Sequence, residues 1–393
     1  MQQHRIVVLG AGYTGATAAG RLARRLHRDD VRITLVNAEP DFVERVRMHQ
    51  LAAGQELARR PLSDMFAGTG VEVRIAEVTA VDAERKEVTL ATGEGEEALP
   101  YDSLVYALGS GWDDHGVPGV AAHAHQIASR PGALRLRERL AALAPGEQVL
   151  VVGAGLTGVE AATEIAEARP DLDVALAARG ALGDWLSAKG RAHLRKVADR
   201  LGITVHEHTA VTAVDAGHVT TGAGAALPAA VTVWTTGFAV HPLAKATTLE
   251  VSETGQIVVD RTMRAVSHPD VYAVGDAALV EGPGDKPLRM SCASGVPSAW
   301  QAADALAARL SGGKVPTVPI RYFNQCVSLG RKEGLIQFVT ADDRAKDSAL
   351  TGRTAALYKE LVCKGAAWGV AHPTVGMPGG HRRVVEQPVR TAA

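Results

Sequence analysis

The 393-residue sequence has few cysteines and almost no net charge. Its three cysteines, Cys292, Cys326 and Cys363, form neither a C-x-x-C pair nor an even framework, which is typical of proteins from a reducing cytosol. Lys and Arg (42) balance Asp and Glu (43), so there is no electrostatic reason to expect nucleic acid as a partner. His206 and His208 alternate along a predicted strand, but no further ligand accompanies them, and we predict no metal site.

Long hydrophobic runs are also absent. No stretch of about 18 apolar residues occurs, which argues against a membrane-spanning helix. The chain runs from Met1 directly into the strand pattern Arg5–Gly10 rather than into a signal-peptide segment. We therefore expect a cytoplasmic location, with any membrane contact peripheral and at the inner face.

Glycine is abundant, and two glycine-rich turns share one pattern. Each follows a short apolar strand and precedes an alanine-rich helix pattern; the turns are Gly10-Ala11-Gly12-Tyr13-Thr14-Gly15 and Gly153-Ala154-Gly155-Leu156-Thr157-Gly158. Two later features recur in the same order. The segment Thr79–Ala83 is repeated at Thr212–Ala216, and Gly109 has its counterpart in Gly237. One G-x-G-x-x-G turn alone would be weak, whereas a repeated turn with repeated marks predicts two dinucleotide-binding modules.

The chemistry of such a turn explains its glycines. The first allows a tight turn, the second lets a pyrophosphate approach the backbone, and the third lets helix pack on strand. The free N–H groups and positive end of the helix then face the phosphates. A tight turn without a ligand is the alternative.

A strand that ends in Gly275-Asp276 follows the second module. Together with the two turns, it resembles the second flavin fingerprint of glutathione-reductase-like flavoproteins. The resemblance implies that Asp276 accepts hydrogen bonds from the ribityl chain of FAD; a plain capping role in the next turn is the alternative. It also implies an FAD domain split between residues 1–112 and 241–315, with an NAD(P)H domain inserted at 113–240.

The predicted fold is therefore α/β, with two Rossmann-like dinucleotide-binding domains. A smaller C-terminal α+β region is expected at residues 316–377. The remaining tail, residues 378–393, is rich in Gly, Arg and Pro and is expected to be disordered.

Cysteine is missing where the disulfide reductases of this superfamily carry a redox C-x-x-x-x-C, here Asp41–Leu51. The segments Pro40–Phe42 and His49–Gly54, with Glu160 and Glu164, resemble type II NADH dehydrogenases and apoptosis-inducing-factor-like quinone reductases. The resemblance implies an FAD-dependent NAD(P)H dehydrogenase that passes electrons directly to a quinone-like small molecule. The A-Q-x-A-x-x-Q quinone helix of typical members is replaced by Ser294–Gln301. A reductase of a ferredoxin- or rubredoxin-type protein and a slow redox-sensing flavoprotein are the alternatives.

The resemblance also assigns residues around the flavin. Asn37 and Glu39 stand where an acidic residue usually holds the adenosine ribose. Cys292 and Ala293 begin a helix whose positive end would stabilise negative charge on the flavin. The Cys292 thiol itself is expected to be a small buried group rather than a nucleophile. Arg45 is expected to line the cofactor and acceptor side, or to lie exposed on a helix.

Glu160 and Glu164 are one turn apart on one helix face. The resemblance places them near nicotinamide and flavin, where a carboxylate relays protons as a catalytic group. The equal alternative is a pair of glutamates favoured by the helix dipole.

The second module ends its second strand with Ala178 and Arg179, where an NAD-preferring site usually has a carboxylate. We expect NADPH to be accepted at least as well as NADH, because Arg179 can pair with a 2′-phosphate.

An apolar stripe of Leu357, Tyr358, Leu361, Val362 and Trp368 follows helical spacing within residues 353–371. Core packing or a homodimer face is the first expectation, and a peripheral membrane anchor is the alternative.

Overall fold

A five-stranded parallel sheet forms the first module. The computed structural model describes residues 3–93, 95–375 and 380–385. The first segment contains β1 (His4–Leu9), α1 (Tyr13–Arg25), β2 (Val31–Asn37), α2 (Met48–Ala52), α3 (Leu62–Met65), β3 (Val71–Ile75), β4 (Glu77–Asp82), β5 (Glu87–Thr92), β6 (Gly95–Pro100), β7 (Ser103–Tyr106) and β8 (Ser110–Trp112). The central strand β1 is almost completely buried, which explains its continuous apolar run.

The second module repeats this organisation. It contains α4 (Val120–His123), β9 (Ala124–His125), α5 (Arg130–Ala141), β10 (Gln148–Val152), α6 (Leu156–Ala168), β11 (Asp173–Ala177), α7 (Ala188–Arg200), β12 (Thr204–His206), β13 (Val211–Val214), β14 (His218–Thr221), β15 (Ala226–Pro228), β16 (Val231–Trp234) and β17 (Phe238–Val240). Its parallel sheet has the order β12-β11-β10-β16-β9. β10 therefore occupies the central position that β1 holds in the first sheet.

The chain then returns to the first sheet. The third segment contains β18 (Ile257–Val258), β19 (Val271–Ala273), β20 (Ala278–Leu279) and α8 (Cys292–Leu310). β19 pairs with β7, which gives the order β19-β7-β1-β2-β3. The first sheet is thus completed by a strand from beyond the second module. These sheets confirm the predicted α/β, Rossmann-like fold; the numerical domain limits stay predictions.

The repeated sequence Thr79–Ala83 and Thr212–Ala216 has a structural basis. Each copy spans the end of the first strand of a three-stranded antiparallel sheet, β4-β5-β6 in the first module and β13-β14-β15 in the second. The strands that follow Gly109 and Gly237, β8 and β17, pair with each other and join the two modules.

The C-terminal region is an antiparallel sheet covered by a helix. It contains β21 (Asn324–Ser328), β22 (Gly334–Val339), β23 (Ala345–Thr351) and α9 (Arg353–Ala371). Among the described residues, no helix is long and apolar enough to cross a membrane.

Residues 380–385 correct the expectation of a disordered tail. Arg382 N donates to Arg25 O at 2.8 Å, and Val385 N donates to Leu310 O at 2.9 Å. Arg383 also pairs with Asp30 at 2.8 Å. These backbone bonds hold the segment against the ends of α1 and α8, so the prediction is wrong for residues 380–385. The remaining tail positions, 378–379 and 386–393, lie outside the described residues.

Candidate active site

The two glycine turns have the same geometry. The first glycine has positive φ in both, +90° at Gly10 and +106° at Gly153. A Cβ at Gly15 would collide with Gly10 O, and one at Gly158 would collide with Gly153 O. Protein packing therefore explains the first and third glycines of each turn.

The middle glycines have a different environment. Apart from the adjoining backbone, no atom of the described residues would lie within 4 Å of a Cβ at Gly12 or Gly155. Packing therefore does not require glycine there, whereas a pyrophosphate lying over the turn does. The helices α1 and α6 begin immediately after these glycines, and neither has a side-chain N-cap bond. Their first N–H groups suit phosphate oxygens.

The other predicted residues of the first turn serve packing. Tyr13 is buried in an edge-to-face contact with Phe42, with ring centroids 4.9 Å apart. The Thr14 methyl lies so close to Gly275 and Gly295 that a Cβ at either glycine would collide with it. Thr157 is half-buried at the equivalent place in α6.

Asn37 holds the first turn directly. Its Oδ1 accepts from Ala11 N at 2.8 Å, and its Nδ2 donates to Glu39 O at 2.7 Å. The Glu39 side chain is exposed beside it. The side-chain oxygen of Asn37 is thus engaged by the protein, and the ribose contact stays a prediction.

The Asp276 carboxylate meets side chains from two other segments. Ser110 Oγ donates to Asp276 Oδ2 at 2.6 Å, and Arg45 Nη1 lies 3.7 Å from the same oxygen. Arg45 Nη1 also donates to Ser110 O at 2.6 Å, and its guanidinium lies 4.9 Å from the Phe238 ring centroid. Arg45 Nη2 is buried without a protein partner among the described residues. A buried, unpaired donor next to a carboxylate suits a polar ligand.

The start of α8 lies beside this cluster. Gly275 N donates to Ser298 Oγ at 3.1 Å, which ties the helix to the Gly275-Asp276 turn. Cys292 and Ala293 form the exposed first turn, so the expectation of a buried Cys292 is wrong, and Ser291 provides no side-chain cap among the described residues. The open N–H groups of a 19-residue helix therefore lie beside Asp276.

Glu160 is buried and paired. Its Oε1 accepts from Lys359 Nζ at 2.8 Å and from Ser328 N at 2.9 Å. Burial alone would raise its pKa, but the charge of Lys359 and the hydrogen bonds from Lys359 and Ser328 N outweigh burial and hold the pKa below its usual value. Lys359 is also buried, yet Glu160 raises its pKa above the usual lysine value. Both partners are therefore charged at neutral pH.

Glu164 and His49 lie beside this pair in different states. Burial, reinforced by Glu167 and Glu160 against Arg331, raises the pKa of Glu164 to about 7. Its Oε1 accepts from Gln55 Nε2, and its Oε2 has no partner among the described residues. Burial lowers the pKa of His49 to about 4, so this ring is neutral although it lies 4.0 Å from Glu160.

Lys359 is the candidate site residue that the sequence pattern did not indicate. The amphipathic pattern suggested that the apolar stripe of α9 packs inward and Lys359 faces water. The structure has the reverse arrangement, since the Lys359 side chain is only 13% exposed and all five stripe residues, Leu357, Tyr358, Leu361, Val362 and Trp368, are exposed. The expectation that the stripe is core is wrong. A usable signal was the row of small residues on the buried face, Ala355, Cys363 and Ala367.

The three cysteines also converge, despite their separation in the sequence. The charge of Lys359 acts on the thiols of Cys292, Cys326 and Cys363. Burial raises the pKa of Cys326 to about 11, so this thiol is protonated at neutral pH. A protonated thiol is a poor nucleophile.

A cleft of about 250 Å³ opens next to Lys359. It lies between the β21–β22 turn and the first half of α9, and its lining includes Ser328, Arg331, Lys332, Arg353 and Leu357. The cleft thus connects the buried ion pair with the exposed apolar stripe.

Residues 4–307 match the family of pyridine nucleotide-disulphide oxidoreductases. The chain belongs to this family. Membership confirms the resemblance found in the sequence and the predicted enzyme class, an oxidoreductase that uses a pyridine nucleotide.

Named relatives of this family member are dehydrogenases. An NADH dehydrogenase-like protein of Mycobacterium tuberculosis is 32% identical over 318 residues, which cover 75% of this chain and 77% of the relative. A type II NADH:quinone oxidoreductase of the same organism is 28% identical over 324 residues, covering 71% and 67%. The structure of NDH2 from Plasmodium falciparum with NADH superposes with a TM-score of 0.79 at 15% identity, covering 95% of this chain and 97% of that one. At this identity the superposition shows the shared fold.

Proposed function

We propose that this oxidoreductase is an FAD-dependent NAD(P)H dehydrogenase that delivers electrons to a quinone-like acceptor without a redox disulfide. The observation that carries the proposal is the duplicated turn, in which Gly12 and Gly155 leave open space that packing does not require. The absence of cysteine between Asp41 and Leu51 supports direct transfer to the acceptor. The names of the relatives support a quinone as that acceptor.

In this proposal, FAD occupies the first module. The turn Gly10–Gly15 and α1 hold the pyrophosphate, with Asn37 and Glu39 near the ribose. Asp276 and Arg45 hold the ribityl end, close to the exposed N–H groups at Cys292 and Ala293. Bound there, FAD supplies an electron carrier that accepts a hydride and reduces the acceptor.

The second module holds NADH or NADPH. Gly153–Gly158 and α6 bind its pyrophosphate, while Gly109 and Gly237 precede the paired strands β8 and β17, which bring the two nucleotide sites together. Positioning two bound nucleotides is the main contribution that such a scaffold makes to hydride transfer.

In this proposal, protons for the acceptor pass through Lys359 on α9 and Glu164 on α6. Lys359 Nζ carries a proton at the base of the cleft, and Glu160 fixes its position. The Glu164 carboxyl, with a pKa of about 7, is half protonated at neutral pH, which suits a group that gives up and regains a proton.

In this proposal, the exposed stripe of α9 lies against a lipid surface, next to the cleft. Leu357 and Leu361 are 62% and 61% exposed, and Lys359 lies on the opposite face of the same helix. A lipid-dissolved acceptor would thereby reach Lys359 without crossing water. We therefore favour peripheral membrane contact over a homodimer for this face.

The decisive experiment combines cofactor analysis with an acceptor screen. Heat or acid should release non-covalent FAD from the purified yellow protein, identified by chromatography. The NAD(P)H-reduced protein should then be reoxidised in stopped flow by short-chain quinones faster than by oxygen or by a ferredoxin. FMN, or no flavin in a folded and reconstituted sample, would refute the cofactor assignment. Reoxidation by ferredoxin alone would refute the acceptor assignment.

A further inference from the structure

The end of β11 differs from its counterpart in the first module. Gly10 N donates to Val36 O at 2.8 Å, and Gly153 N donates to Ala177 O at 2.9 Å, so Asn37 and Ala178 occupy equivalent positions. Asn37 uses its side-chain oxygen to hold Ala11 N. Ala178 offers only a buried methyl group there. This position therefore carries neither a hydrogen-bond acceptor nor a negative charge.

Positive charge is available one residue further along. Arg179 is exposed, and its guanidinium forms no hydrogen bond or ion pair with the described residues. The loop after β12 wraps around the same strand end through three backbone bonds: Ala178 N to His206 O, Thr209 N to Ala178 O, and His208 N to Gly180 O, at 2.9, 2.8 and 3.0 Å. His208 is exposed on this loop.

The two carboxylates near this strand end, Glu207 and Asp184, do not pair with Arg179. Glu207 Oε1 accepts from Leu182 N at 2.7 Å and from Arg195 at 2.5 Å. Asp184 lies so close to Gly180 that a Cβ there would collide with its carboxylate, but it forms no ion pair with Arg179. The guanidinium of Arg179 is thus left without a partner among the described residues.

We propose that Arg179 binds the 2′-phosphate of NADPH and that Ala178 admits it, so that NADPH is used at least as well as NADH. This inference rests on the proposed function, since it names the nucleotide of the same site. A carboxylate at position 178 would accept hydrogen bonds from the ribose hydroxyls and repel a phosphate, and its absence removes that discrimination. A charge-assisted contact from arginine adds about ten- to hundredfold in affinity.

Binding tests the proposal independently of turnover. Isothermal titration of the FAD-loaded protein with adenosine 2′,5′-bisphosphate and with 5′-AMP, which differ only in the 2′-phosphate, isolates the contribution of that phosphate. We expect the wild type to bind adenosine 2′,5′-bisphosphate at least about tenfold more tightly than 5′-AMP. Arg179→Ala should bind the bisphosphate no more tightly than 5′-AMP. Arg28→Ala, which removes an exposed arginine of the first module, should leave both affinities unchanged.

Steady-state kinetics give the second readout. Arg179→Ala should lower kcat/KM for NADPH about ten- to hundredfold, mainly through KM, and change that for NADH less than about threefold. Ala178→Glu should favour NADH. A wild-type preference for NADH that Arg179→Ala does not alter, with equal binding of adenosine 2′,5′-bisphosphate and 5′-AMP, would overturn this inference and leave the proposed function intact. Failure of the folded, flavin-loaded protein to oxidise either nucleotide would instead overturn the proposed function.

Discussion

Two glutamates on one face of α6 show how strongly a single neighbour decides the chemistry of a side chain. Glu160 and Glu164 are both buried, and burial alone raises the pKa of each. Lys359 lies against Glu160 and reverses that effect. Glu164 has an amide partner in Gln55 and a distant cation in Arg331, which leave its pKa at about 7. The pair therefore combines a fixed charge with a titrating group.

Glu164 should make folding stability depend on pH. Its raised pKa means that the folded protein keeps a proton that the unfolded chain releases above pH 4.5. The stabilisation from the retained proton is fully present below pH 4.5 and is lost as pH rises to about 7. Between pH 5 and 8, the wild type should lose about 2–3 kcal/mol in free energy of unfolding relative to Glu164→Gln. Urea unfolding at both pH values measures the difference.

The matched control for this measurement is Glu138→Gln on the exposed side of α5. Its free energy of unfolding should change between pH 5 and 8 by the same amount as that of the wild type. The same change in Glu164→Gln would show that Glu164 titrates normally.

The converging cysteines allow a test of direct electron transfer. Replacement of all three, Cys292→Ser, Cys326→Ala and Cys363→Ala, should leave both flavin reduction and quinone reduction within about threefold of the wild type, because protonated thiols carry no electrons here. Stopped-flow measurement of the two half-reactions separates these steps. Loss of quinone reduction with intact flavin reduction would instead reveal a thiol relay.

At the scale of secondary structure elements, α1 and α8 are held together by a charged clamp. Asp304 on α8 accepts from Arg21 and Arg25 on α1 at 2.7 and 3.0 Å, with each side chain about one-fifth exposed. Burial alone would raise the pKa of Asp304, but the two arginines outweigh it and lower the pKa. Because α1 follows the first glycine turn and α8 begins beside Asp276, this clamp aligns the two ends of the proposed flavin site.

Asp304→Asn should therefore lower stability in a pH-dependent manner. At pH 7 the free energy of unfolding should fall by about 1–3 kcal/mol, the usual contribution of hydrogen bonds to charged groups. A lowered carboxylate pKa stabilises the fold above the unfolded value and loses this effect as pH falls, so the difference should shrink toward pH 3. Glu72→Gln breaks the exposed Arg32 pair and should cost less than about 0.5 kcal/mol. Equal losses in both variants would contradict a special role for the clamp.

At the scale of the whole molecule, α9 packs against both modules and also presents an exposed apolar face. α9 packs on β22 and α1, while its lysine reaches α6 of the second module. The exposed stripe on the opposite face is continuous with the cleft through Leu357. The same helix thus carries a buried charge on one side and a large apolar surface on the other.

The stripe should bind lipid vesicles. Leu357→Glu with Leu361→Glu should reduce sedimentation with phosphatidylglycerol-containing liposomes at least about tenfold, because both side chains lose apolar burial and gain repulsion from an anionic surface. The variant should keep its flavin and its unfolding midpoint, since both residues are exposed. Val266→Glu changes an equally exposed apolar residue elsewhere and should bind as the wild type does. A dimer in analytical ultracentrifugation that the double variant dissociates, without liposome binding, would identify the stripe as a dimer face.

The sequence by itself determined the α/β fold with its two glycine turns. Short apolar strands, turn glycines and alanine-rich helices are local patterns, and their repetition at Gly10–Gly15 and Gly153–Gly158 makes them specific. The resemblance to flavoproteins also placed Asp276 and the start of α8 together around the flavin.

Tertiary structure alone decided which charges are buried and which apolar residues are exposed. A helical period separates two faces of α9 but does not say which face meets the protein, and the residue that settles this, Glu160, is 199 positions away along the chain. Cys292, Cys326 and Cys363 likewise share the field of Lys359 only after folding. The state of each ionisable group depends on burial and on its partners, and neither is a local property of the chain.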